Sequence, residues 1–205
     1  MFWQKRYISL DIGEHSIKAL DINEKNQIVN CSYKLLPRGV ISQGLIKDTH
    51  VFIVNLKSVI SDLGWSIRKR DVFFSLSGEG VIVKRVEVNV DSEDEITDII
   101  ESESEQYFRH NLEDLYYHWY VLPNHEETGK RDVILAGTKR VIVDQYLQIM
   151  DKLSLNVSII DCGCLCLFNM FVYNYNSEKG LTLLINVGAS LTQIVFIGNG
   201  EYLYS

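Results

Sequence analysis

Leu10-Asp11-Ile12-Gly13-Glu14-His15-Ser16-Ile17-Lys18 and Ile185-Asn186-Val187-Gly188-Ala189-Ser190-Leu191-Thr192 repeat one pattern 175 residues apart. Each copy is a short apolar run of β type, a polar residue two before a glycine, a small or hydroxyl residue, and a return to alternating apolar positions. The pattern predicts strand, Gly turn, strand. Glycine at such a turn admits backbone conformations that a side chain forbids. A tight hairpin turn directs several backbone N–H groups outward, and a cluster of that kind can hold phosphate oxygens. In the first copy Gly13, Glu14, His15 and Ser16 make the turn, Ser16 adds a hydroxyl and Lys18 a positive charge. Asp11, at the strand end, is placed to hold Mg2+ through water, which suits a phosphate-rich site. In the second copy Gly188, Ala189, Ser190 and Thr192 take the equivalent places. Either copy alone also fits an ordinary hairpin. Two copies opening two halves of a chain are a stronger signal than one, since phosphates can be held between two such hairpins.

Outward from the first copy the chain reads as a β-meander. Tyr7–Asp11, Ser16–Ile22 and Ile28–Leu36 are strands, with Asn23-Glu24-Lys25-Asn26-Gln27 as a turn and Pro37-Arg38-Gly39 as a break. Asp48 or Thr49 caps a helix running to Leu63, with Phe52, Leu56, Val59, Ile60 and Leu63 at helical spacing and Gly64 as its stop. Strands follow at Val72–Leu76 and Val81–Val90, around Ser77-Gly78-Glu79-Gly80. Ser92 and Glu95 form a capping box for an acidic helix with Ile96, Ile99, Ile100 and Tyr107 inward. Leu115–Leu122 and Asp132–Thr138 are strands joined by a polar loop over 123–130. A helix over Val141–Leu153, a strand over Val157–Ile160 and a helix over Cys164–Tyr173 come next. Strands at Leu181–Val187 and Leu191–Ile197 flank the second turn, and Asn199-Gly200 leads into Tyr202–Ser205. The fold class is mixed α/β.

The 205 residues carry 20 basic and 27 acidic side chains, a net charge of −7. Eight of the acids, and no base, lie between Asp91 and Glu105, so the remainder is balanced at 20 basic to 19 acidic residues. That balance argues against nucleic-acid binding, which needs a basic surface. No apolar run reaches the roughly 18 residues of a membrane span. No signal peptide opens the chain, so the reading is a cytoplasmic protein with reduced thiols. Cys162-Gly163-Cys164-Leu165-Cys166 raises a soft-metal site against small buried core cysteines. Cys31 is the only other cysteine, and no histidine lies nearby in sequence. The acidic helix reads as a solvated face or as a contact for a basic partner. Tyr116-Tyr117-His118-Trp119-Tyr120 alternates as a strand whose outward rings could form a peptide groove. Thr138-Lys139-Arg140 reads as a helix start.

The segment 10–18 resembles the opening of the PilM family, actin-like cytoplasmic proteins of type IV pilus assembly. Leu36-Pro37-Arg38-Gly39-Val40-Ile41, Gly44-Leu45-Ile46-Lys47-Asp48, Ser104-Glu105-Gln106-Tyr107, Tyr117–Leu122, Leu135-Ala136-Gly137-Thr138-Lys139-Arg140 and Ile185–Thr192 extend the likeness in order. More distantly the chain is similar to the division protein FtsA and to the cytoplasmic domain of the secretion protein GspL. The resemblance implies an actin-like (ribonuclease H-like) first lobe with a small inserted α+β subdomain. Residues 1–70 and 139–180 would form that lobe, 71–138 the insert, and 181–205 the start of an incomplete second lobe. It implies ATP, with Mg2+, between the lobes. It also implies a PilN-like N-terminal tail peptide of an inner-membrane protein as partner. The protein would then lie peripheral to the inner membrane through that contact, without inserting, as part of an oligomer or ring.

Three departures from the family pattern bear on chemistry. Asn186 stands where the second loop opens with Asp, removing a charge that would hold a metal-bound water. Gly163 stands where the family has an acidic residue. The sequence also stops 13 residues after Thr192, before the glycine-rich adenosine segment, which reads as a fragment or a truncated paralogue. Three functions remain open: a tail-binding scaffold with ATP as structural ligand, a nucleotide-free interaction domain of the GspL kind, and an active ATPase or small-molecule kinase. The departures weigh against the last.

Overall fold

The computed structural model describes residues 6–64, 71–78, 80–90, 92–122, 129–175 and 179–205. β1 (Arg6–Ile12), β2 (Ser16–Asn23) and β3 (Ile28–Leu35) form the expected antiparallel meander. A small hairpin of β4 (Ile41–Ser42) and β5 (Leu45–Ile46) leads to α1 (Thr49–Asp62). Of the two cap residues open in the sequence, Asp48 acts, its carboxylate accepting from the Val51 N–H at 3.0 Å. The chain then passes through β6 (Asp71–Leu76), β7 (Val81–Val88), α2 (Ile96–Ser102), α3 (Ser104–Phe108), β8 (Leu115–Val121) and β9 (Arg131–Lys139). It ends with α4 (Arg140–Lys152), β10 (Asn156–Cys162), α5 (Gly163–Tyr175), β11 (Leu181–Val187), β12 (Thr192–Gly198) and β13 (Glu201–Tyr204).

The five-stranded sheet has the order β10-β6-β1-β2-β3, with β6 and β10 parallel to β1. One face is buried: Ile8, Leu10, Ile12, Ile17, Ala19, Val72 and Phe74 pack beneath Phe52, Leu56, Val59 and Ile60 of α1 and Ile142, Tyr146 and Met150 of α4. Each such side chain contributes about 1.5–3 kcal/mol by leaving water. The alternation that made these runs read as strands is thus the alternation between the helix-covered face and the other.

The segments on either side of Ser77–Gly80 do not pair with each other. β6, the first strand of the expected insert, lies between β10 and β1 in the five-stranded sheet, and β7 belongs to a separate sheet of order β7-β9-β8. This second sheet carries α2 and α3 on one face, with Ile96, Ile100, Tyr107 and Phe108 against Leu115, Val133 and Leu135. The capping box is not formed. A 3-10 turn occupies Glu93–Glu95, α2 begins only at Ile96, and its N-cap Glu95 makes no side-chain capping bond. The acidic helix also breaks at Glu103 into two short pieces. Most of the loop assigned to 123–130 lies outside the described residues.

The third sheet, β11-β12-β13, repeats the meander of β1-β2-β3. The 175-residue offset holds in three dimensions. Leu10 faces Ala19 as Ile185 faces Ile194, and Asp11 faces Lys18 as Asn186 faces Gln193. One difference is burial: Ile8, Leu10 and Ile12 are buried, whereas Leu183, Ile185 and Val187, at the same offset, are exposed among the described residues. A third apolar cluster joins the sheets, with Phe171 and Cys164 of α5 meeting Val195, Ile197 and Tyr202 and reaching Ile134 of β9.

Candidate functional site

Both Gly turns close with the same bond. The Gly13 N–H donates to the Ser16 carbonyl at 3.0 Å, and the Gly188 N–H to the Leu191 carbonyl at 2.9 Å. Neither glycine has a positive φ, so the expected conformational reason does not apply. Gly188 is needed for space instead, because a Cβ there would sit 2.7 Å from the Leu191 carbonyl oxygen. At Gly13 a Cβ would meet nothing nearer than 3.7 Å, so an alanine would fit.

Cross-strand pairs brace each turn from below. Lys18 Nζ lies 2.7 Å from Asp11 Oδ2, both side chains being 61% exposed. The predicted phosphate-binding lysine and the predicted magnesium carboxylate therefore engage each other. At the same offset the Asn186 amide donates to Gln193 Oε1 at 3.2 Å. Glu14 does not point to an open phosphate position: its carboxylate accepts the Gln43 N–H at 2.6 Å. His15 is exposed and fixes the turn through its carbonyl, which accepts from the Leu36 N–H at 2.7 Å. Gly188, Ala189 and Ser190 are exposed at the tip of the second turn.

The sheet register adds residues that sequence spacing does not link. Asp11, Ser75 and Asp161 occupy one row across β1, β6 and β10, and Lys18 continues it on β2. In-register neighbours share a face, so two carboxylates, a hydroxyl and an ammonium line up at the carboxyl ends of the parallel strands, where ligands bind in open α/β sheets. The Asp161 carboxylate accepts the Cys162 N–H at 2.7 Å. Gln193 Nε2 donates to Ser77 Oγ at 3.2 Å, joining the second hairpin to the end of β6. The repeat contained a signal for Gln193, which is the counterpart of Lys18. Ser75, Ser77 and Asp161 carry no such signal, since only strand pairing brings them together.

Two cavities flank this region. The first, of about 360 Å³, lies between Ser77, Gly78, Lys84, Gly163, Thr192 and Gln193. Of the predicted phosphate-binding residues only Thr192 lines it. The second, of about 320 Å³, opens between the second sheet and the five-stranded sheet, with an apolar wall of Leu76, Val81, Ala136, Val143, Leu147 and Ile160. Of the aromatic run, Tyr117 and Trp119 turn inward onto α2, bonding Glu101 and Thr97. Tyr116, His118 and Tyr120 face outward, and Tyr116 and His118 line the second cavity. Arg140 stacks over the Tyr116 ring at 4.3 Å, and the Tyr116 hydroxyl bonds Asp144, which fixes this rim to α4.

No group of three His, Cys, Asp or Glu side chains among the described residues is arranged to hold a metal ion. The soft-metal reading of the cysteines is therefore not supported. Burial pushes the thiols of Cys162 and Cys166 up to about 12 and raises that of Cys164, which favours their neutral form. For Mg2+, Asp11 is a lone carboxylate already paired with Lys18, and Asn186 offers no charge. These residues fit a magnesium ion only as one that arrives with phosphate groups and touches Asp11 through water.

A family model, described as type IV pilus assembly protein PilM, matches residues 9–205. No match is found among curated proteins. The fold is similar to a solved structure of a PilM-PilN type IV pilus biogenesis complex, with a TM-score of 0.82 and 18% identity, covering 98% of this chain and 60% of that one. It is also similar to the cytoplasmic domain of EpsL, an inner-membrane component of the type II secretion system of Vibrio cholerae. There the TM-score is 0.59 and the identity 14%, over 98% of this chain and 71% of that one. A Bacteroides thetaiotaomicron protein with an actin-like ATPase fold and unknown function matches with TM-score 0.53 and 12% identity, over 98% and 68%. The architecture is thus actin-like, and the chain spans 60% of the length of the PilM chain it matches.

Proposed function

The chain belongs to the PilM family of type IV pilus assembly proteins, and from that premise we propose that it is a scaffold holding the short cytoplasmic tail of a PilN-type inner-membrane protein. The carrying observation is the apolar cleft between the second sheet and the five-stranded sheet. It presents aliphatic side chains from β6, β7, β9, α4 and β10, and at its rim, beside His118, Tyr116 is held in place by Arg140 and Asp144. An extended tail with a few aliphatic side chains suits a concave apolar site with sparse polar groups. Through that contact the protein sits at the cytoplasmic face of the inner membrane and joins an oligomeric or ring-like assembly. Among the described residues no helix is long and apolar enough to cross a membrane. With β6 in the five-stranded sheet, residues 1–76 and 139–180 then act as the first lobe, 77–138 as the insert that completes the cleft, and 181–205 as part of the second lobe.

Titration calorimetry with a synthetic peptide of the PilN-type N-terminal tail tests this. Saturable binding that Ala136→Leu weakens about tenfold, without loss of circular dichroism, is the expected result. No heat at peptide concentrations well above micromolar overturns it.

A second ligand is favoured by one observation, the identical closing bond of the two Gly turns. We infer that a nucleotide binds between the hairpins and acts as a structural ligand, with Gly13, Ser16, Lys18, Gly188, Ser190 and Thr192 toward its phosphates and Asp11 toward its Mg2+. A ligand at 100 times its dissociation constant adds about 2.7 kcal/mol of stability. The melting temperature should therefore rise with millimolar Mg-ATP. An unmoved melting temperature would favour the nucleotide-free, GspL-like mode.

A further inference from the structure

We infer that Gln193 is a positioning residue for the docking cleft, although it lies outside that cleft. The inference rests on the tail-binding reading above. Gln193 uses both ends of its amide: Oε1 accepts from Asn186 at 3.2 Å within the third sheet, and Nε2 donates to Ser77 Oγ at 3.2 Å across to the first. Ser77 is the residue directly after β6, at the start of the turn that carries the chain from the five-stranded sheet into β7 of the second sheet. The amide therefore acts as a strut from the second hairpin to the root of the inserted sheet.

The strut sits against the wall that the two cavities share. Val81 lines both; Leu76 lines the docking cleft and its neighbour Ser77 the other cavity; Cys162 lines the cleft and its neighbour Gly163 the other cavity. A shift of Ser77 thus moves Leu76 and Val81, two of the aliphatic groups the tail would touch. On the side of Gly163 the strut leaves no room for a side chain. A Cβ at Gly163 would overlap the Ser77 hydroxyl and lie 2.9 Å from Gln193 Nε2. The missing side chain at Gly163 is what makes room for the bridge. A hydroxyl–amide bridge needs no counter-ion, so this strut holds in the absence of any ligand in the first cavity.

The test compares wild type, Gln193→Met, Ser77→Ala, the double variant and Gln193→Glu. Methionine keeps the volume and removes both bonds; glutamate keeps an acceptor for the Ser77 hydroxyl and for Asn186. Two measurements are made: the affinity of the PilN-type tail peptide, and hydrogen exchange of the amides of 80–84 without peptide. Gln193→Met and Ser77→Ala should each lower peptide affinity several-fold and speed exchange at 80–84, leaving α1 amides unchanged. The double variant should lose no more than either single one, and Gln193→Glu should restore most of the binding. Wild-type affinity in Gln193→Met, or additive losses in the double variant, overturns the inference. If wild type binds no peptide, the docking reading fails and the exchange data decide the strut alone. Faster exchange in Gln193→Met then supports it, and unchanged exchange overturns it.

Discussion

Asn186 donates its side-chain amide to Gln193 at 3.2 Å, in the register position where Asp11 and Lys18 form a 2.7 Å ion pair 175 residues earlier. The scaffold is duplicated while the chemistry on it is not: one hairpin carries a charged pair and the other an uncharged one. An amide can brace a turn as well as a carboxylate can, but it lacks the negative charge that strengthens the hold on a metal-bound water.

Asn186→Asp restores the charge at an exposed site. Fold stability should change by no more than about 0.5 kcal/mol, while any ATP-induced rise in melting temperature should become more dependent on Mg2+. Melting curves with ATP, with and without Mg2+, check this. An ATP response with the same Mg2+ dependence as in wild type would mean that position 186 does not face the metal.

Arg85 ties two sheets together. Its guanidinium donates to the Tyr202 carbonyl at 3.0 Å and to Asp132 at 2.7 Å, and it lies 3.6 Å from Glu201. The group is largely shielded, so Arg85→Ala should cost about 2 kcal/mol in urea unfolding. Arg85→Lys should recover little of it, because an ammonium lacks the planar fork. A loss below about 0.5 kcal/mol would place this clamp among the many surface pairs that contribute nothing measurable.

Gly137 lies under the ring of Phe108, which a Cβ would strike, with Cδ1 at only 3.0 Å. Both residues are buried where α3 packs on β9. Gly137→Ala should destabilise by about 1–3 kcal/mol through overpacking, whereas Gly13→Ala, with open space, should be close to neutral. Paired urea titrations of the two variants check the contrast, and equal effects would contradict it.

The cysteines predict a labelling order and an alkaline limit. Cys31 is exposed, while Cys162 and Cys166 are pushed up to about 12 by burial. With iodoacetamide at about pH 8, Cys31 should react first and the other three only as the chain unfolds. Mass spectrometry of the labelled peptides reads this directly. The neutral thiols are favoured by the fold, so their contribution is complete below the unfolded thiol value of 9.0 and is lost as pH rises toward about 12. The Tyr202 hydroxyl, raised from 10.0 to about 12 chiefly by burial, acts in the same direction. The urea midpoint should therefore fall with rising pH across that window. A flat midpoint between about pH 9 and 11 would show that these groups are hydrated in solution.

The amino-acid sequence alone determined the strands, the longer helices and the duplicated turn, because these follow from local alternation, helical spacing and glycine placement. Those signals need no knowledge of distant residues. It also carried the family, through ordered short segments spread over most of the chain. Only the tertiary structure decided which strands share a sheet. β6 and β7 are separated by one short turn yet belong to different sheets, because a strand's partner is set by which faces can be buried together. Tertiary packing likewise placed Asp161, Ser75 and Asp11 in one row, bound Lys18 to Asp11, and carried Gln193 across to Ser77. It also set the fate of the two matching apolar faces. The one beneath α1 is buried and its counterpart on β11 is exposed, since burial depends on what packs above a strand and not on the strand's own residues.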